Sequence, residues 1–453
     1  MEMGDDPLGL FLLPKAVKDA SLRPPAHGRE VGKESPRWVL LDKTAYFAGA
    51  DVRNATTATS KTREGHEIQV TLCTAAQPPL VSYMCVHSPT LKPSHDFAKE
   101  PTILATHDDL LLFRLTLGHG NRHNLFLSDY FVYQAASDGS PPSLTHITHP
   151  CGDPDNLFPD THVGILHHHH PLIPLALRPH NPQHYIVAAL TPTRKPGGEY
   201  RLHLYHSTTK QWTTKLLQLG GLPPSPPLTF FHHYTDKVIN LSHQAPGLMG
   251  FADLWRGLLL VNVLHDHEPA PTYIPLPPPL RPRHDNQLPN GDTSDVRDIA
   301  IDLQGCINYV EFELSILPHP QRHSGSYIAD GWTAAKWSWI AESGCWRMDC
   351  HLHSSDISDT MMPRLPNYSE PQPDLEKLHV GHPVLSLHDT HLVYLMAKIE
   401  DRAHKAWILP IDLRNGVIQQ PADFAGADRT SGICEMYVQT NISRYPQTAP
   451  TGN

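Results

Sequence analysis

The feature that most constrains this chain is a recurring phrase. A short apolar or β-branched run ends in a polar turn, and a second run then opens beside a tryptophan or another aromatic residue. The clearest copy is RLHLYHSTTKQWTTKLL at 201–217, in which Leu202 and Leu204 alternate with His203 and Tyr205, and the turn Ser207-Thr208-Thr209-Lys210 leads into Trp212. Alternation at period two marks a strand with one buried face, so the phrase reads as a half-buried β-hairpin. Related phrases are FVYQAASDGSPPSLTHI at 131–147, WTAAKWSWIAESGCWRMDCHL at 332–352 and KAWILPIDLRNGVIQQPADF at 405–424. Between them lie further strand pairs, at 237–264, 296–314 and 384–399.

Helical period is nearly absent, and 45 prolines in 453 residues argue against a helical fold, because each proline inside a helix costs about 3 kcal/mol. Roughly two dozen candidate strands run from Arg37 to Arg444, which is what six four-stranded blades of a β-propeller require. Tandem sandwiches are the other way to cover so many strand edges, and they need a linker near the middle. The proline-rich stretches at 221–227 and 275–289 are flanked at once by strand phrases of the same type, so they read as loops between blades. The expected architecture is therefore all-β, a propeller-like repeat of about six antiparallel blades. A repeat longer than the usual period of about 40–50 residues places the surplus in loops at 148–183, 265–295 and 353–382. Residues 1–35 read as a short flexible arm with a short helix around Leu10–Ala20, 36–445 as the propeller-like domain, and 446–453 as a tail.

The formal charge of −10 argues against nonspecific nucleic-acid binding, which needs a basic surface. Seven scattered cysteines, an odd number, do not form a secreted disulfide framework. They read as thiols, with Cys73, Cys85, Cys306 and Cys434 inside apolar runs and Cys151 the most accessible. Cys345 and Cys350 flank Trp346 on one strand, about 16 Å apart at an extended rise of about 3.3 Å per residue, too far to bridge. The N-terminus has no positively charged segment before its short apolar run, and no stretch approaches the roughly 18 apolar residues of a membrane span. A cytoplasmic or nuclear protein with no membrane or nucleic-acid partner is expected.

The 33 histidines invite a metal hypothesis, and His167-His168-His169-His170 is its obvious place. Consecutive residues on a strand point to opposite faces, and no Asp, Glu or Cys stands at i+2 to complete a site, so the tract reads as a strand-end or loop segment. His265 and His267 about Asp266, Cys350 with His353, and His388-Asp389 with His391 are pairs without a partner fixed by spacing. No nucleophile elbow, phosphate loop or dinucleotide fingerprint is present. Gly118 and Gly120 precede no helix, and His323-Ser324-Gly325 reads as a turn. The tryptophans fall on or beside strands and read as core filling, Trp332, Trp337 and Trp339 included. Arg256 with Asp253, and Asp295 and Asp298 about Arg297, read as turn-fixing ion pairs. No catalytic residue is assigned, and neither a cofactor nor a metal ligand set is expected.

Phrases at 36–73, 81–87, 202–215, 230–241, 251–264, 296–313, 331–338 and 378–399, among them FADLWRGLLLVNVL and VRDIAIDLQGCINYVEFE, resemble the domain of unknown function 1618 (DUF1618) family, which is expanded in grasses. The resemblance covers about 36–445 and implies a plant protein; it brings no catalytic residue or cofactor. Its general look is similar to propeller-like domains associated with F-box proteins, although no F-box segment stands before residue 36. The expected function is a noncatalytic module that binds a protein or peptide. The alternative is a hydrolase or metal-dependent enzyme using His and Asp in the propeller channel.

Overall fold

The computed structural model describes residues 17–27, 36–75, 77–118, 128–137, 140–148, 158–167, 184–193, 198–218, 233–264, 271–281, 292–318, 327–357, 362–400, 402–429 and 432–444. The first blade holds β1 (Val39–Asp42), β2 (Tyr46–Phe47), β3 (Ala58–Lys61), β4 (Glu67–Cys73) and β5 (Val81–His87). The second holds β6 (Thr102–His107), β7 (Leu110–Thr116), β8 (Ser128–Gln134) and β9 (Ser143–Ile147). The third holds β10 (Val163–His167), β11 (Tyr185–Pro192), β12 (Glu199–His206) and β13 (Gln211–Gln218). The fourth holds β14 (Lys237–Asn240), β15 (Leu248–Asp253), β16 (Gly257–Asn262) and β17 (Thr272–Pro275). The fifth holds β18 (Arg297–Ile301), β19 (Ile307–Pro318), β20 (Tyr327–Ile340) and β21 (Cys345–His353). The sixth holds β22 (His379–Leu385), β23 (Leu392–Lys398), β24 (Trp407–Asp412), β25 (Val417–Ile418) and β26 (Ala422–Asp423). The last strand, β27 (Tyr437–Thr440), returns to the first blade and pairs antiparallel with β1, in the order β27-β1-β5-β4-β3. The expected all-β propeller of six blades is what the chain forms, and helix among the described residues is confined to short turns.

The hydrophobic core is divided among the seams between blades. Six clusters lie one at each junction: first with second blade around Val70 and Phe113, second with third around Val132 and Val187, third with fourth around Ile186 and Phe251, fourth with fifth around Leu258 and Tyr309, fifth with sixth around Trp332 and Trp407, and sixth with first around Ile408 and Leu40. An open fan of six blades would have one seam fewer, so the ring is closed by packing as well as by β27. Closure is reinforced where Arg429 donates hydrogen bonds to Asp42 and to the Thr44 carbonyl, its guanidinium 3.9 Å from the Tyr46 ring centroid.

The seams explain why strand runs such as DLLLFRLTL lack alternation. On β7, Leu110 and Leu112 enter one seam while Leu111, Phe113 and Leu115 enter the other. The same geometry corrects the half-buried reading of 201–217. The hairpin and its turn are as expected, with Tyr205 opposite Trp212 and Lys210 left-handed at φ 56°. On β12, however, His203 and Tyr205 are as buried as Leu202 and Leu204, because the second blade covers their face. His203 stays satisfied between the hydroxyls of Thr191 and Thr214, at 3.1 and 3.0 Å. The stretch read as a loose arm is docked over residues 17–27: Val17 enters the first seam, the Lys18 amide donates to Glu100, and Tyr83 Oη donates to the carbonyls of Pro25 and His27.

Candidate functional site

The strands at the inner edges of the sheets, β6, β10, β14, β18, β22 and β27, surround a central channel with a cavity of about 210 Å³. Each is the end member of its sheet, with its outer edge outside the ladder. Along those edges the Ile103 amide donates to the Lys43 carbonyl and the Leu385 amide to Asp298, while Ile165, Val238 and Val384 add apolar side chains to the wall. The inner strands run the same way through the ring, so their first residues gather at one mouth and their last residues at the other.

Around the first mouth stand Lys43, Asp236, Lys237, Asp295, Asp298 and Glu435. Lys43 pairs with Glu435 and Lys237 with Asp298, each at 2.6 Å. Burial raises Glu435, but the charge and hydrogen bond of Lys43, together with His382 and Lys237, outweigh it and hold this carboxyl below its ordinary range. Among the described residues, no cation pairs with Asp236 or Asp295. Burial pushes each up to about 7, and the charge of Asp292 adds to both. Asp236 accepts a hydrogen bond from the Leu254 amide at 2.8 Å, whereas Asp295 Oδ1 is buried with no hydrogen-bond partner. Neutral and ionised carboxyls thus share one rim, a pattern that sets proton donors beside proton acceptors.

At the other mouth, the tight β6–β7 turn and the end of β10 meet. One nitrogen each from His107 and His167 and one carboxylate oxygen of Asp108 lie within 4.8 Å of one another, the one such group among the described residues. Asp108 adopts a left-handed conformation at φ 52°, which short polar side chains tolerate best. His167 Nε2 is hydrogen-bonded to Asp109 Oδ1, and Asp109 Oδ2 accepts from Gln134 Nε2 at 2.9 Å. The His167 amide donates to His107 Nδ1 at 3.4 Å. Burial lowers the His107 imidazole to about 4.

Several candidates from the sequence have structural roles. Arg256 and Asp253 form the expected ion pair at 2.7 Å, and Asp253 also accepts from the Trp255 amide. The grouping about Arg297 is different: Arg297 pairs with Glu311 across the sheet at 2.8 Å, while Asp298 pairs with Lys237. Adjacent residues on β18 face opposite sides, so Arg297 cannot reach Asp298. His353 caps the turn after β21 through Ser355 and Asp356, and His388 stacks on Trp38 at 5.3 Å. Trp332 and Trp337 are buried, and Trp339 meets Trp346 edge-on at 5.4 Å, as core filling predicts. Of the tetra-histidine tract, His167 ends β10; His168–His170, His265–His267, Gly120, Cys151 and His323–Gly325 lie outside the described residues. The partners of His167 come from the neighbouring blade, 60 residues away in the chain, and no local spacing announces them.

Fold and channel together define a closed six-bladed β-propeller with polar groups at both mouths. Residues 251–394, from β15 to β23, match the family described as "Protein of unknown function (DUF1618)", in agreement with the phrases quoted above. No curated protein matches the sequence. Among solved structures, the chain is similar to the GH93 α-L-arabinofuranosidase of Fusarium graminearum in complex with arabinobiose, at 10% identity over 86% of this chain and 87% of that one, with a TM-score of 0.28. It is also similar to the subtype N11 neuraminidase-like protein of A/flat-faced bat/Peru/033/2010 (H18N11), at 10% identity over 88% and 95%, with a TM-score of 0.24. Likeness at this level carries no argument about activity. No helix among the described residues is long and apolar enough to cross a membrane.

Proposed function

We propose that this protein is a noncatalytic binding module that docks a protein or peptide partner. The observation that carries the reading is the overhang of the fifth blade. Strands β19 and β20 are 12 and 14 residues long, and beyond a register shift at Leu314/Ile316 they run past the seam. There Leu317 and Ile328 stand opposite each other and exposed on one face, with Ile316 exposed on the other. Apolar side chains on a projecting hairpin lack a core of their own and suit a partner's surface. The test compares affinity capture by the wild-type chain and by a Leu317→Asp/Ile328→Asp double variant. A partner held at near-equimolar amount by the wild type and lost by the equally stable variant supports docking; identical captured sets refute it. The thiols at Cys306, Cys345 and Cys350 favour a reducing compartment, cytoplasm or nucleus.

A second reading, a hydrolase acting in the channel, is favoured by one observation: Asp236 and Asp295 hold protons to about 7 beside the ionised Glu435. Under that reading an Asp236→Asn variant loses turnover of a channel-sized substrate while keeping its fold, and full retention of turnover excludes Asp236 as the proton donor.

A further inference from the structure

We propose that the second mouth of the channel is a site for a divalent transition-metal ion of the zinc class, held by His107, Asp108 and His167. This stands apart from the docking hairpin and from the carboxyls of the first mouth, and it depends on neither.

The geometry fits in three respects. Three atoms within 4.8 Å of one another share a point no more than about 2.8 Å from each, so a small closure of the side chains brings all three to bonding distance. His107 Nε2 and Asp108 Oδ2 are 3.7 Å apart, close to the edge of about 3.4 Å expected between neighbouring ligands of a tetrahedral ion with bonds of about 2.1 Å. Two imidazoles and one carboxylate are a donor set that suits zinc and related ions, and three protein ligands leave a fourth position for water or a ligand.

The surroundings orient the donors. The approach of the His167 amide to His107 Nδ1 turns Nε2 toward Asp108. Nε2 carries the ring proton while Nδ1 accepts, and an ion bound at Nε2 moves that proton to Nδ1, which then gives up the 3.4 Å contact with the amide. Asp109 engages His167 at Nε2, and Gln134 in turn holds Asp109. A carboxylate behind a ligating histidine fixes its ring and tautomer, the outer-shell arrangement that protein metal sites use. Asp109 is thus a positioning residue, and the left-handed Asp108 lets consecutive residues of one tight turn serve as ligand, ligand and support.

The experiment uses the full chain without an affinity tag, stripped of metal by a chelator and titrated with Zn²⁺ by calorimetry and with Co²⁺ by visible absorption. One ion per chain, with the intense bands of a four-coordinate Co²⁺ site, is expected. His107→Gln and Asp108→Asn should abolish this binding, and Asn is compatible with the left-handed turn should the histidine variant unfold. Asp109→Asn should weaken binding by about 10- to 100-fold and shift the Co²⁺ bands, whereas a merely structural role would leave the bands in place. The triple variant His168→Gln/His169→Gln/His170→Gln should bind as the wild type does. Binding that survives Asp108→Asn, binding that disappears with the triple variant, or an absence of stoichiometric binding would each overturn the proposal.

Discussion

Replacing Asp236 and Asp295 together by asparagine should flatten the pH dependence of stability. In the unfolded chain both carboxyls ionise near 3.8, whereas burial and the neighbouring Asp292 keep them protonated in the fold to about 7. Between those values the folded state binds more protons than the unfolded state, so stability falls as pH rises. For a fully buried group a displacement of this size is worth about 4 kcal/mol. Both side chains are half-buried at the channel mouth, and solvent screening reduces the change between pH 5 and pH 8 to about 1–2 kcal/mol for each. Asparagine keeps an acceptor for the Leu254 amide and carries no charge at either pH. Urea unfolding of the wild type and the double variant at pH 5 and pH 8 measures the effect. The wild type should lose stability over this range relative to the variant, which becomes the more stable of the two at pH 8. Parallel profiles would show that the two carboxyls ionise normally in the fold, and the case for a proton-holding rim would fail with them.

Arg429→Met should destabilise the ring by about 3–5 kcal/mol in chemical denaturation, because it leaves the buried Asp42 carboxylate and the Thr44 carbonyl without their donor; a change under about 1 kcal/mol would mean closure rests on β27 and the apolar seam alone. Trp332→Ala should cost about 3–5 kcal/mol by emptying the seam of the fifth and sixth blades, where the indole packs on Phe312 at 5.5 Å. Thiol titration of the native protein should label Cys345 first among the described cysteines, and the buried Cys73 and Cys85 only after denaturation. The denatured, unreduced chain should then titrate all seven cysteines, and five or fewer would reveal a disulfide and a different compartment.

The fold was largely legible in the sequence because strands and turns are local. A run such as RLHLYHSTTKQWTTK carries its own period, its own turn and its own facing aromatic residue, and β12 and β13 form where those signals put them. The number of strands then limited the ways to cover their edges, and the DUF1618 phrases agreed with the match over 251–394. What a single strand cannot announce is what covers its second face. His203 looked solvent-facing by alternation, and only the neighbouring blade buries it. The candidate sites fail to show in the sequence for the same reason. His107 and His167 belong to different blades and meet because adjacent inner strands end at one mouth. Asp236 and Asp295 are ordinary turn carboxyls in the sequence, and they hold their protons because ring closure partly removes them from water while no cation among the described residues pairs with them. Composition and period settle which residues extend and turn, since those preferences act over a few bonds. Convergence, burial and charge depend on distances between segments far apart in the chain, and these exist only once the six blades have closed on the channel.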